Sequence, residues 1–294
     1  MMKETSFDVP HPRASWLDPA TGEALLQADL MHELSQQQAV MIGESHDIAE
    51  IHRWQLSVCT YLHLLQPNLA IGFEMFPRRL QPVLDNWVDG ILDTASFIDQ
   101  SEWHKVWGFD PAIYLPIFHF CRQQRIPMLA LNCRRSLVTE VGKLGWDAIA
   151  EADRDGLSPA ASATDSYRHY LYSLVGTSSR IEATSGTDAK FDRFVRAQQT
   201  WDRAFACNIT HALEADPTRL IIGIIGRGHL EYGYGTPSQL QSLGISKQAV
   251  LLPNTESRLT IVPKHPIGRA VFRLDTPEPP AQRVKNDSSA TAAA

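Results

Sequence analysis

Apolar residues fall along this chain in short unbroken blocks, separated by longer segments in which they return every three or four positions. The blocks are AVMIG (39–43), LAIGFEMF (69–76), MLALN (128–132), RLIIGIIG (219–226) and AVLLP (249–253). Continuous rather than alternating apolar character marks strands covered on both faces, the pattern of a parallel sheet. The segments between the blocks read as helices. Ile48, Ile51, Gln55, Val58, Leu62 and Leu65 form one amphipathic stripe whose polar member is Gln55. Asp110 and Pro111 make a good N-cap and first-turn pair for a helix over 111–124. A long helix from about Phe191 to Leu213 carries Phe191, Phe194, Gln198, Trp201 and Phe205 on one face. The alternation predicts an α/β fold: a mostly parallel central sheet with helices on both faces and a helical insertion in the second half.

Residues 1–24 are polar and proline-bearing and read as an irregular N-terminal arm. Residues 25–275 then form a single α/β domain. The insertion spans about 142–190; SYRHYLYSLVG is its helix and GTSSRIEATSGTDA a mobile segment. TPEPPAQRVKNDSSATAAA (276–294) has little to bury and reads as a disordered tail.

Composition narrows the function. With 294 residues, 44% of them hydrophobic, the chain can bury a large core. A formal charge of −6 leaves no basic footprint for nucleic acid and no polybasic patch for anionic lipid. No apolar run approaches the ~20 residues of a membrane helix. MMKETSFDVPHPRASW lacks the apolar core of a secretory signal, so a cytoplasmic protein is expected, or an exported one if the true N-terminus differs. Cys59, Cys121, Cys133 and Cys207 are scattered without a CxxC pair, which argues against a thiolate zinc site, and without a signal segment reduced thiols are expected rather than two disulfide bridges.

Charge gathers where strands end. In open parallel sheets ligands bind outside the carboxyl ends of the strands. The first block delivers Gly43, Glu44, His46 and Asp47, and the second Glu74, Arg78 and Arg79. The third gives Asn132, Arg134 and Arg135, and the fourth Gly226, Arg227, Gly228, His229 and Glu231. Two GxxH elements, Gly43 to His46 and Gly226 to His229, follow strands that belong to one sheet. They could bring two imidazoles and Glu74 together in a set that suits zinc, manganese or iron. Glu74 sits inside an apolar run, where an unpaired carboxylate costs several kcal/mol. Arg78 or Arg79 neutralises it, or a metal or ligand does. Gln55, Gln198 and Asp202 interrupt apolar stripes, either as satisfied core groups or as support for a site. His52 and His63 lie off the stripe at the surface or boundary, with His52 able to approach the site. Trp103 and Trp107 read as core anchors. Tyr232 and Tyr234 flank a glycine turn beside His229, and a phenol can ligate ferric iron as tyrosinate.

At these residues the sequence resembles the ChaN-like haem-binding uptake family, in the wider group containing Tiki metalloproteases and erythromycin esterases. The resemblance covers about 39–253. It rests on GESHDIAEIHRWQ, GFEMFPRRLQPVLDNW, EWHKVWGFDPAIYLPIFHFCRQQRIPMLALNCRR, FDRFVRAQQTWDRAFA and GRGHLEYGYGTP, in that order. It implies haem bound through a tyrosine, with a homodimer interface as one place for it, and a role in haem or iron acquisition. Tyr232 falls on the family's tyrosine after GxGH, Tyr234 is the second candidate, and His46, Glu74, Arg78 and His229 fall on the shared polar centre. Arg78 and Arg227 would pair with propionates. Related Tiki proteins cleave peptides with paired GxxH elements, an acid and a metal. The alternative is therefore a hydrolase in which His46, Glu74 and His229 hold zinc or manganese and act on a bound water. Many relatives are exported lipoproteins, whereas this sequence shows no export signal. No GxSxG elbow points to a serine hydrolase.

Overall fold

The computed structural model describes residues 6–176 and 183–274. Its strands are β1 (Phe7–Pro10), β2 (Trp16–Leu17), β3 (Ala24–Leu25), β4 (Ala39–Glu44), β5 (Leu69–Pro77), β6 (Met128–Asn132), β7 (Leu220–Gly226), β8 (Gln248–Asn254), β9 (Arg258–Ile261) and β10 (Ala270–Arg273). Eight of them form one sheet in the order β3-β2-β10-β8-β4-β7-β5-β6. From β10 to β6 every pairing is parallel. β2 and β3 close one edge antiparallel. β1 and β9 make a separate antiparallel pair.

All five apolar blocks are strands, and every residue of β4, β5 and β7 is buried. That is why they show no polar alternation: helices cover both faces of the sheet. One face packs under α1 (Gln27–Ser35), α2 (Ala49–Leu65), α3 (Gln81–Val88), α4 (Thr94–Gln100), α5 (Trp103–Val106) and α6 (Leu115–Gln124). The other packs against α9 (Asp192–Ala215) and α10 (Thr236–Ser242). α7 (Arg135–Leu144) lies along α9, and α8 (Asp165–Val175) supplies the helix expected in the insertion.

Three expectations shift. Within the arm at 1–24, the described residues 6–24 are not irregular throughout, since they contribute β1, β2 and the first residue of β3. Buried Trp16 anchors it, with its ring centroid 4.9 Å from Phe272 and 5.8 Å from Trp54; a two-residue strand is too short to show a period. The helix at 111–124 begins as a 3₁₀ turn, Pro111–Ile113, capped by the Asp110 side chain, and becomes α-helical from Leu115. Pro116 has no N–H to bond back to residue 112, so one continuous helix cannot form. The stripe on α2 ends a turn early, with Leu65 43% exposed. The expected mobile segment falls partly outside the described residues, and the 276–294 tail wholly so.

Among the described residues no helix is long and apolar enough to cross a membrane. The four cysteines are buried free thiols.

β4, β7 and β5 are neighbours in register, Glu44 opposite Gly226 and Phe73 opposite Ile224. Three strands carrying polar residues at their carboxyl ends therefore finish side by side.

Candidate functional site

Glu44 is the last residue of β4 and fully buried, so its carboxylate needs partners close at hand. It has them. His46 Nδ1–H donates to Glu44 Oε1 at 2.7 Å, and the Tyr114 hydroxyl, at the N-cap of α6, donates to the same oxygen at 3.1 Å. His52 Nδ1 lies 3.4 Å from Glu44 Oε2 and donates to Gln55 Oε1 at 3.0 Å. The Gln55 amide donates in turn to the Ile42 carbonyl. The one polar residue in the α2 stripe thus ties that helix to β4 and steadies the histidine beside Glu44. His52 is buried inside the site rather than at its boundary.

A carboxylate acceptor fixes the Nδ1 proton of His46, which leaves Nε2 free to face outward. The second histidine is built the same way. His229 follows β7 on a 3₁₀ turn, and its Nδ1–H donates to Asp202 Oδ1 at 2.7 Å. Asp202 lies on α9, fully buried, and also accepts from the Tyr167 hydroxyl on α8 at 2.5 Å. Gln198, one turn earlier on α9, places its amide 3.2 Å from the His229 ring nitrogens.

Glu74 stands between the two. Its Oε2 accepts the Gly226 N–H, and its Oε1 is 4.0 Å from His229 Nε2. A Cβ at Gly226 would stand 2.9 Å from His46 Cε1, 3.2 Å from Glu74 Oε2 and 3.4 Å from His46 Nε2, so only glycine lets the two side chains converge there. Neither arginine neutralises Glu74. Arg79 forks onto Glu102, and exposed Arg78 donates to the Asp155 carbonyl. Above these groups opens a cavity of about 590 Å³, lined by His46, His229, Asp47, Phe109, Gln198 and Arg227 among others. Trp107 packs edge-on against the His46 ring at 4.6 Å and donates to the Tyr114 hydroxyl.

The carboxylates set the protonation. Burial alone would lower the His46 pKa, but the Glu44 hydrogen bond and the charges of Glu74, Glu44 and Asp47 outweigh it and hold the value at about 9. Burial likewise opposes charge on His229, and Asp202 and Glu74 raise its pKa. For Glu44 burial is outweighed by His52, His46 and Tyr114, and its pKa is lowered. A histidine raised on folding contributes stability that is complete below pH 6.5 and lost as pH climbs through about 9. The unfolding free energy should therefore fall across that window. Denaturant titrations of His46→Gln should show a shallower fall; a slope identical to the parent's would contradict the Glu44–His46 assignment.

A model of the haem-binding uptake family, ChaN, of the Tiki superfamily, matches residues 30–240. The chain belongs to that family. No curated protein matches the sequence. Among solved structures, ChaN of Campylobacter jejuni, described by its cofacial haem binding, superposes with a TM-score of 0.68 at 20% identity, covering 89% of this chain and 98% of its own. A Bacillus cereus protein superposes at 0.51 and 10% identity, covering 94% and 96%. At these identities the superpositions speak for the ChaN fold.

Within this chain His46, Glu74 and His229 converge, while the other sequence candidates divide. Arg227 lines the cavity and bonds Glu231, which also accepts from the Tyr170 hydroxyl at 2.8 Å. Arg78 is not among the residues lining it. Tyr232 and Tyr234 lie outside the lining as well, half-buried in a cluster with Tyr167 and Tyr170 whose ring centroids are 5.6–6.5 Å apart. Tyr232 adopts a left-handed φ of 59°, held by its N–H bond to the Ile267 carbonyl. Among the described residues no three His, Cys, Asp or Glu side chains gather as a set that would hold a metal ion. On that ground the zinc or manganese reading gains no support. Sequence reasoning missed Tyr114, which shows no signal beyond the helix start before it, and left Glu44 as one of several strand-end charges.

Proposed function

We propose that this chain binds haem through Tyr232 or Tyr234 and serves in haem or iron handling. The observation that carries the proposal is the tyrosine pair on the GHLEYGYG loop of a chain whose family binds haem. The surroundings fit such a group. Four phenol rings cluster there, and Leu174, 51% exposed, lies beside Gly228. Arg227, on the neighbouring turn, supplies a cation for a propionate. Haem would bring ferric iron to the phenol; this chain's residues would supply the oxygen ligand, apolar cover and charge. Arg78, turned onto Asp155, is the weaker propionate partner. His229 lines the neighbouring cavity, outside the tyrosine cluster, and in this reading is a supporting neighbour.

Burial, Glu231 and Tyr234 raise the Tyr232 pKa, so the phenol is neutral near pH 7 and must release its proton to ligate iron. Hemin affinity should rise with pH, and Glu231→Gln should lessen that dependence. Titrating the apo-protein with hemin should give a Soret shift with a high-spin tyrosinate signature. Tyr232→Phe with Tyr234→Phe should erase the signature and weaken binding at least tenfold, about 1.4 kcal/mol; an unchanged spectrum would refute the ligand. The cofacial arrangement named for the Campylobacter protein suggests a homodimer here, and hemin-dependent dimerisation in sedimentation would support it.

A further inference from the structure

Arg196, Gln199, Thr200 and Arg203 recur at helical spacing on one face of α9 and line a cavity of about 110 Å³. It lies between α9, the end of α7 and the segment 157–160, and neither the two histidines nor Tyr232 and Tyr234 line it. We propose that this cavity binds the carboxylate of a short-chain aliphatic acid, with Arg203 as the principal donor and Arg196 as a second cation. The site is independent of the haem reading.

Arg203 is the group that calls for a ligand. A guanidinium stays charged at any pH the protein meets, and such side chains are rarely buried unless paired. Arg203 is 7% exposed, yet among the described residues it makes no ion pair. Its Nε–H and one Nη2–H donate to Ser158 Oγ at 3.1 and 2.7 Å. Its Nη1 donates to Gln239 Oε1 at 3.3 Å and to Ser242 Oγ at 2.8 Å. All three acceptors are neutral. The second Nη2–H is left without an acceptor. The adjacent carboxylate, Asp202, accepts instead from His229, Tyr167 and Thr236. A buried charge in this state is costly, and an anion in the cavity removes the cost.

Arg196 adds to the same field. Its Nε and Nη2 both donate to the Gly142 carbonyl, at 3.2 and 2.7 Å, and among the described residues it too pairs with no carboxylate. No Asp or Glu is among the residues that line the cavity.

Walls and size choose the anion. Val141, Trp146 and Leu157 give the cavity an apolar side. At about 30 Å³ per liquid water, the space holds roughly four waters' worth, too little for a nucleotide or for haem. A planar carboxylate matches the guanidinium fork, and a short alkyl chain behind it matches the apolar side. Inorganic phosphate would set charged oxygens against those same side chains.

The test is isothermal titration and thermal melting of the full chain with sodium butyrate, sodium acetate and inorganic phosphate, at constant chloride. Butyrate should bind one to one with a Kd of about 1 mM or tighter and raise the melting temperature. Acetate, two methylenes shorter, should bind about tenfold more weakly. Arg203→Met should abolish butyrate binding and, by removing an unmatched buried charge, leave the melting temperature of the ligand-free chain unchanged or higher. Arg196→Gln, at a half-buried position, should weaken butyrate at least tenfold, which keeps the test open if Arg203→Met fails to fold. Butyrate affinity should be the same with and without hemin, which separates a free carboxylate from a haem propionate. The proposal is overturned if butyrate neither releases heat nor raises the melting temperature, or if both arginine variants bind it as the parent does. It is equally overturned if phosphate binds as tightly as butyrate, or if hemin displaces butyrate.

Discussion

Replacing Asp202 by alanine should lower the unfolding free energy by about 3–5 kcal/mol, the cost of removing one partner from a buried charge pair. Asp202 is fully buried and holds the His229 ring and the Tyr167 hydroxyl, with Thr236 Oγ1 3.4 Å away. Without it, a histidine and a phenol lose their acceptor where water does not reach. Against a typical total of about 5–15 kcal/mol, a loss of that size brings the fold near its threshold. Asp202→Asn keeps the shape and one acceptor oxygen and should cost less than half as much. Urea unfolding of both variants decides it: equal, small losses would mean that Asp202 fills space rather than holding His229.

A second loss of about 3–5 kcal/mol is expected for Trp103→Ala, from deleted packing plus the cavity it leaves. Trp103 is fully buried, with its ring 5.2–5.9 Å from Tyr114, Phe118 and Phe76, and its indole N–H donates to the Phe109 carbonyl at 2.6 Å. It therefore fixes two walls of the site: Phe109, which lines the cavity, and Tyr114, which holds Glu44. Trp107→Ala, at a half-buried position against His46, should cost less stability while changing the cavity directly. Thermal melts separate the two. A Trp107→Ala variant as unstable as Trp103→Ala would show that the sequence reading of both as equivalent anchors was the better one.

The strands were legible because a parallel sheet buries both faces and writes an unbroken apolar run, as in LIIGIIG. The long helix α9 was legible from its 3.6-residue period, and its interruptions at Gln198 and Asp202 proved to be the residues that grip His229. Pairing by sheet neighbours placed His46, Glu74 and His229 together without any contact information. What escaped had no period to reveal it. Trp16–Leu17 joins the sheet through two residues, and the Pro116 restart of α6 is set by a missing N–H. Tyr114 reaches Glu44 across the fold from a helix start that looks ordinary in sequence. Arg78 was drawn toward Glu74 by spacing alone, but its side chain leaves the strand end and lies on the loop at Asp155.

The account stands on two histidines whose Nδ1 protons are each held by a buried carboxylate. Long-range proton–nitrogen spectra of histidine-labelled protein test that directly. Two strongly deshielded Nδ1–H resonances are expected, one lost in Glu44→Gln and the other in Asp202→Asn. Spectra in which neither His46 nor His229 shows such a proton, or in which neither substitution removes one, would contradict it.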